Sequence, residues 1–309
     1  MIRFIGEIFA SLAAFCYAFG SVAATKNARE NGGRGNAVLL SIVLTAGLSG
    51  GVWVVMGQHL PPIDGGFWTG VAIFIVAGML ATVAGRIFLF RSIELAGAIE
   101  TGLIRRLIPV FAGVLAILFL GESLTGASAL AFVLVFTAVA LVVLSNPREL
   151  ATDDAEGLRA SGERNKGRGL ALMSAASYGG SYVARKFAMR WLADPLIGAF
   201  IGAVSAFLWF AVAGLFSTSY RHHMTDLFRR PTGWQFVAAA SLSLGQTAQF
   251  MALSFTTVTA VAIIGTIEMF LAAWLAAWVL RTEERPGLGF ALASLMATAG
   301  VIVLALARA

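Results

Sequence analysis

The sequence predicts an all-α integral membrane protein in which ten transmembrane helices form two inverted five-helix repeats around a central cavity. Three observations predict it. The chain of 309 residues is 59% hydrophobic and 12% charged, with a mean hydropathy of +0.85, whereas a soluble domain has about 45–50% apolar and ~25% charged residues. Ten apolar stretches follow one another, each near the ~20 residues that a bilayer span requires. The hydrophilic segment 146–168 divides them into five and five, and the two halves resemble each other at an offset near 160.

The spans are expected over 4–25, 36–57, 67–91, 98–119 and 124–145, then 169–190, 195–216, 234–255, 259–280 and 287–307. The first follows Arg3 and runs into Ser21-Val22-Ala23-Ala24, which would also suit a cleaved signal. Its pattern recurs in mid-chain, so it is retained as a membrane helix. It holds Cys16, the chain's one cysteine, which rules out an intrachain disulfide. KNARENGGRGN and GQHLPPIDGG bound the second span. The third carries Arg86 past its middle, and the fourth carries Arg105, Arg106 and Pro109. Breaks near 92–98 and 120–123 are short enough to make the third, fourth and fifth spans antiparallel neighbours. The sixth presents Tyr178, Ser181, Tyr182 and Arg185 on one face, at i, i+3, i+4 and i+7. After the seventh comes STSYRHHMTDLFRRPTG. The eighth shows a polar stripe of Ser243, Gln246 and Gln249, the ninth bears Glu268, and RTEERPG precedes the tenth. Trp53, Trp68, Trp191, Trp234 and Trp278 fall near helix ends, where indole rings prefer the membrane interface.

The repeat rests on matches in register. Tyr17-Ala18-Phe19-Gly20-Ser21 ending in Lys26 matches Tyr178-Gly179-Gly180-Ser181 ending in Lys186, with one gap. Gly85-Arg86 before Phe90 matches Gly245-Gln246 before Phe250. Pro109 falls opposite Met269, and Thr137-Ala138 opposite Thr298-Ala299. Because five is odd, the second copy enters the bilayer from the other side. Many secondary transporters use that inverted arrangement for alternating access, with the solute near the midplane between the copies. Basic residues concentrate in connections after odd-numbered spans, including Lys26, Arg29 and Arg34, then Arg148, Arg159, Arg164, Lys166 and Arg168, then Arg281 and Arg285. The positive-inside rule then makes the 146–168 linker cytoplasmic and puts both termini outside.

Charges inside the spans are the candidate site. An arginine near the bilayer centre costs at least ~2.5–3.5 kcal/mol and so tends to face a partner or a water-filled cavity. On a continuous helix Arg105 shares a face with Thr101 and Pro109, while Arg106 points about 100° away with Gly102. At least one of the two is expected to bind an anionic group. The bland alternative is a structural ion pair with Glu100, Glu94 or Glu268. Arg86 either joins the site or snorkels to the headgroups. Tyr17, Tyr178 and Tyr182 offer rings and hydroxyls, and Gln246 and Gln249 offer amides. Glu268 has three open readings: proton carrier, binder of a substrate amine, or counter-ion to Arg105 or Arg106. Lys26 and Lys186 are expected to snorkel to opposite interfaces, and Glu122 and Glu283, at helix junctions, to act as interfacial anchors.

Other classes are excluded or disfavoured. The net charge of +6 and pI near 10.1 come from short loops between apolar runs, not from a solvated basic face, so no nucleic-acid partner is expected. His59, His222 and His223 are expected in loops, and no His-Glu-x-x-His run, P-loop or dinucleotide fingerprint occurs. No catalytic residue, metal or cofactor is therefore assigned. A channel is disfavoured because pores are usually built from symmetric assemblies or charged rings.

The stretches Tyr17 to Lys26, Gly85 to Phe90, Pro109 to Ala112 and Leu120-Gly121-Glu122, repeated as Tyr178 to Lys186, Gly245 to Phe250 and Glu268-Met269-Phe270, resemble the EamA-type drug/metabolite transporter superfamily. The resemblance implies a five-helix repeat over 1–145, a linker over 146–168 and a second repeat over 169–309. It also implies export of small metabolites such as amino acids. Where that family often has Glu-Pro in the ninth helix, this chain has Glu268-Met269, so no proline kink is expected there. The fourth helix's Leu-Gly-Glu ending becomes Leu280-Arg281-Thr282-Glu283. The expected partners are a small carboxylate- or phosphate-bearing solute and the lipid of an inner (plasma) membrane, with the protein as monomer or homodimer. The competing class is a non-transporting scaffold or receptor subunit whose buried charges are purely structural.

Overall fold

The structure, a computed structural model, describes residues 4–31, 37–56, 61–145, 158–226, 231–281 and 287–306. They are almost entirely helical. The order is α1 (Ile5–Asn31), α2 (Ala37–Val55), α3 (Gly65–Gly78), a π-helical stretch (Met79–Ala84) continuous with α4 (Gly85–Ala96), α5 (Ala98–Arg105), α6 (Ile108–Leu120) and α7 (Gly126–Ser145). Then come α8 (Leu158–Ala188), α9 (Pro195–Phe216), α10 (Thr218–Asp226), α11 (Gly233–Phe255), α12 (Val258–Gly265), α13 (Glu268–Trp274), a second π-helical stretch (Leu275–Val279) and α14 (Leu288–Leu306). Among the described residues, helix falls within each of the ten expected ranges. Among the described residues, eight are long and apolar enough to cross a membrane. The other two expected spans fall on α7 (Gly126–Ser145) and on α8, which is richer in Ser, Gly and Tyr.

Caps explain several starts. Asp64 accepts from Phe67 N (2.8 Å) to open α3. Asp194 accepts from Leu196 N and Ile197 N ahead of Pro195, and takes the Trp53 indole N–H at 2.9 Å as well. Thr232 and Gln235 form a reciprocal capping box on α11.

Packing runs opposite to that of a water-soluble protein. Fully buried positions are mostly alanine (Ala18, Ala23, Ala199, Ala206, Ala238, Ala252), while Phe216, Leu288, Leu118 and Leu215 are 70–86% exposed. Small residues let backbones approach closely where lipid supplies no hydrophobic drive between helices, and large aliphatic side chains then face the acyl chains. The chain is a multi-pass membrane protein.

The helices gather into two compact units, each drawing on both sides of the linker. One comprises Met1–Met79, Ala184–Thr256 and Ile267–Pro286; the other comprises Leu80–Val183, Thr257–Thr266 and Gly287–Ala309. In the first, α1 lies along α11, α2 packs on α9 and α11, α3 packs on α9, and α13 packs on α1. Phe74, Leu192, Ile197 and Phe250 form its core, with the Phe74 and Phe250 rings 6.1 Å apart. In the second, α7 packs on α14, α12 on α6 and α7, and α4 on α5.

Three expectations change. Residues 158–168, read as linker, are the first turns of α8, while 146–157 lie outside the described residues. A helix polar all round needs side-chain pairs to hold it, and here Arg164 reaches one Glu100 oxygen at 2.8 Å while Arg168 takes the other. The backbone at His222 and His223 belongs to α10, not to a loop; His59 lies outside the described residues. Finally, the ninth span is interrupted despite lacking proline. The fourth breaks at Arg106–Leu107 and the ninth at Thr266–Ile267, 160 positions apart. Pro109 has no N–H, and its ring would strike the carbonyl of Arg105 in a continuous helix; the chain answers with i→i−3 bonds from Arg106 N to Leu103 O and Leu107 N to Ile104 O, both 3.0 Å. At the second break Gly265 lowers helix propensity, and the Thr266 hydroxyl takes the Ile263 carbonyl at 2.6 Å, a local bond that bends helices.

Candidate functional site

Polar side chains gather at two places, one in each unit. In the second unit, Tyr178 of α8 lies against Gly85, where a Cβ would stand 2.8 Å from its ring carbon Cε2. Only glycine admits the ring there. Ser174, one turn earlier, donates to the Gly85 carbonyl at 2.8 Å and fixes the register. Arg105, the last residue of α5, places its guanidinium 4.9 Å from the Tyr178 ring centroid, a cation–π distance. Its Nε is buried and makes no hydrogen bond among the described residues, and the same holds for Nη1 of Arg86. Arg86 is next in chain to the glycine on which Tyr178 rests, well inside the helical run 65–96. Thr101 is fully buried and bonds to Ser92 at 2.6 Å, so it supports α5 against α4 and is not part of a polar face with Arg105.

In the first unit, Tyr17 of α1 lies against Gly245 of α11, where a Cβ would meet ring carbon Cδ1 at 3.1 Å. The Tyr17 hydroxyl donates to Oε1 of Gln249 at 3.4 Å, and Arg185 Nη1 donates to that same oxygen at 2.6 Å. Arg185 is 3% exposed, and its guanidinium lies 4.5 Å from the Phe250 ring centroid. Gln249 is buried, Gln246 is half-buried on the same helix, and the buried Ser243 hydroxyl makes no hydrogen bond among the described residues.

The two places correspond. The sequence pairs Gly85 with Gly245 and Tyr17 with Tyr178, and each glycine receives the tyrosine of the other half. Charge distinguishes them, since Arg86 follows one glycine and Gln246 the other. Of the remaining expected residues, Arg106 sits half-buried in the break after α5, Tyr182 is half-buried one turn beyond Tyr178, and half-buried Glu268 opens α13.

Several acids and lysines have other work. Glu100 is clamped by Arg164 and Arg168, and Glu94 lies 3.3 Å from Arg91. Lys186 does not snorkel: its ammonium donates to the Leu253 carbonyl at 2.5 Å and the Thr256 carbonyl at 3.1 Å, closing the C-terminus of α11. Thr256 in turn donates to Glu7 at 2.9 Å, a buried acid absent from the sequence reading. Lys26 lies 4.3 Å from the Trp234 ring centroid. Glu122 accepts from Val258 N (2.7 Å), Thr259 N (3.1 Å) and the Thr259 hydroxyl (2.8 Å), so it caps α12 instead of anchoring to the interface. Glu283 lies outside the described residues. Arg185 was legible only as a member of the Tyr178 face; its burial was not.

Comparison with known proteins bears on family and fold. Residues 4–144 match the model of the EamA-like transporter family. No curated protein matches the chain. Among the solved structures, 29 chains match. One, a crystal structure described only as that of a protein, is 16% identical over 98% of this chain and 97% of its own, with a TM-score of 0.70. That likeness shows a shared fold.

Proposed function

We propose that this multi-pass membrane protein, whose residues 4–144 belong to the EamA-like transporter family, is a secondary transporter that exports a small carboxylate- or phosphate-bearing solute by alternating access. Ten spans in two inverted five-helix repeats carry out the movement. The reciprocal seating of Tyr178 on Gly85 and Tyr17 on Gly245 supports that repeat, as do helix breaks 160 positions apart. Interrupted helices at corresponding positions mark solute sites in inverted-repeat transporters.

The observation that carries the choice of an anion is Arg105 over the Tyr178 ring together with Arg86, next in chain to the glycine on which that ring rests. Buried guanidinium nitrogens of Arg86 and Arg105 make no hydrogen bond among the described residues. A desolvated donor without an acceptor costs about 1–3 kcal/mol, and a carboxylate or phosphate arriving there removes the cost and the excess charge together. Purified protein in liposomes should accumulate radiolabelled L-amino acids or phosphorylated sugars. A scaffold or receptor subunit would move neither, which would end this reading.

Glu268 carries the coupling proton in this scheme. Glu268→Gln should then eliminate accumulation driven by a pH gradient while preserving solute exchange. Equal loss of both would make Glu268 a counter-ion instead.

The membrane is the inner (plasma) membrane, with the 146–168 segment in the cytoplasm and both termini outside. In a Cys16→Ala background, an impermeant thiol reagent applied to intact cells should label a cysteine at Ala309 and spare one at Ser161. The reverse pattern would invert the orientation.

A further inference from the structure

We infer that Arg185 is a positioning residue which orients the Gln249 amide, so that Gln249 Nε2 is the donor of a polar subsite within the first unit for an oxygen of the solute. The inference rests on the transporter reading and adds to it a role for a residue that binds nothing itself. Guanidinium and phenol hydroxyl differ in one respect that decides the geometry. A guanidinium has only donors, so an amide can meet it only through its oxygen. Arg185 Nη1 stands 2.6 Å from Gln249 Oε1, and that oxygen is therefore the atom facing α8. The Tyr17 hydroxyl, at 3.4 Å, adds a second, weaker donor to the same oxygen. With both contacts on Oε1, flipping the amide would set N–H groups against a cation, which the low local dielectric strongly disfavours.

Arg185 is itself held. It is 3% exposed, and Phe250 lies under its guanidinium at 4.5 Å. Phe250 is 1% exposed and packed against Phe74, so the chain Phe74–Phe250–Arg185–Gln249 passes the rigidity of the core to the amide. The amide nitrogen of Gln249 has no hydrogen-bond partner among the described residues. Two N–H donors fixed by their neighbours suit a carbonyl, carboxylate or phosphate oxygen and reject an ammonium group.

Gln249→Glu tests this, because it keeps oxygens toward Arg185, strengthens that contact to an ion pair and deletes only the N–H donors. The expected result, in liposomes loaded with whichever L-amino acid or phosphorylated sugar the unchanged protein moves, is a KM raised about tenfold or more. The maximal rate should change far less, and the melting temperature in detergent should equal or exceed that of the unchanged protein. If Gln249 merely satisfied Arg185, Gln249→Glu would keep the original KM, and that result overturns the inference. Should that variant not fold, Arg185→Met combined with Gln249→Met removes the buried charge along with its partner. It should show the same rise in KM, and an unaltered KM would again refute the subsite. Transport of nothing by the unchanged protein would sink the transporter reading itself, which is a different outcome from an unaltered KM in a working transporter.

Discussion

Replacing Arg105 with glutamine is expected to abolish transport while leaving the protein as stable as before. The stability half follows from opposing contributions of similar size. Arg105 loses its stacking on Tyr178, about 0.5–2 kcal/mol. The variant also loses a buried Nε that makes no hydrogen bond among the described residues, relieving about 1–3 kcal/mol. The difference should lie between about 1 kcal/mol of net loss and about 2.5 kcal/mol of net gain, so no marked destabilisation is expected. Transport behaves otherwise, since removing one partner of a desolvated, charge-assisted contact to the solute costs about 2–5 kcal/mol, or roughly thirtyfold to several-thousandfold in kcat/KM. Arg105→Lys should recover part of this, because it keeps the charge but not the planar fork. Uptake in liposomes and melting in detergent check the two halves separately. A fall in stability of 3–5 kcal/mol, as when a buried ion pair is broken, would make Arg105 structural and leave the anion site without its main support.

What the sequence could and could not convey follows the physics of each signal. Spans are legible because ~20 apolar residues leave few alternatives. The glycines at 85 and 245 and the tyrosines at 17 and 178 were legible as a repeat, since a close ring–backbone contact tolerates few residue types. Which charge meets which was not legible. Glu100 pairs with Arg164 and Arg168, more than 60 residues away and in a segment whose composition suggests a loop. Lys186 has the position of a snorkelling lysine yet turns back to carbonyls of α11. Arg185 was legible as a member of the Tyr178 face, and only packing reveals it as buried. The ninth-span break carries no proline signal, because Gly265 and the Thr266 hydroxyl accomplish the same interruption. Long-range charge partners depend on tertiary geometry, and a single sequence records only the residue types.

Removing the carboxylate of Glu122 should produce a large loss of stability. Glu122 follows Gly121, whose φ of +69° ends α6 in the left-handed region where glycine is favoured. That reversal aims the side chain at the start of α12, where both carboxylate oxygens are used: Oε1 by Val258 N, and Oε2 by Thr259 N and its hydroxyl. The first N–H groups of a helix have no partner within it, and a carboxylate there also meets the positive end of the helix dipole. Thr257 accepts from Ala260 N with its own hydroxyl, a different donor from the two that Glu122 caps. In Glu122→Ala two backbone donors lose their acceptor at about 1–3 kcal/mol each, and the freed Thr259 hydroxyl and the lost dipole interaction add to this. The expected loss is about 3–5 kcal/mol, seen as a lower melting temperature in detergent. Glu122→Gln keeps one acceptor oxygen and should lose about 1–2 kcal/mol. An interfacial anchor would behave differently, because an exposed charge contributes ~1 kcal/mol or less and both variants would then melt like the unchanged protein. Because α12 is the half of the ninth span that precedes the Thr266–Ile267 break, fraying its capped end should also slow transport in Glu122→Gln, where the fold survives, without shifting KM.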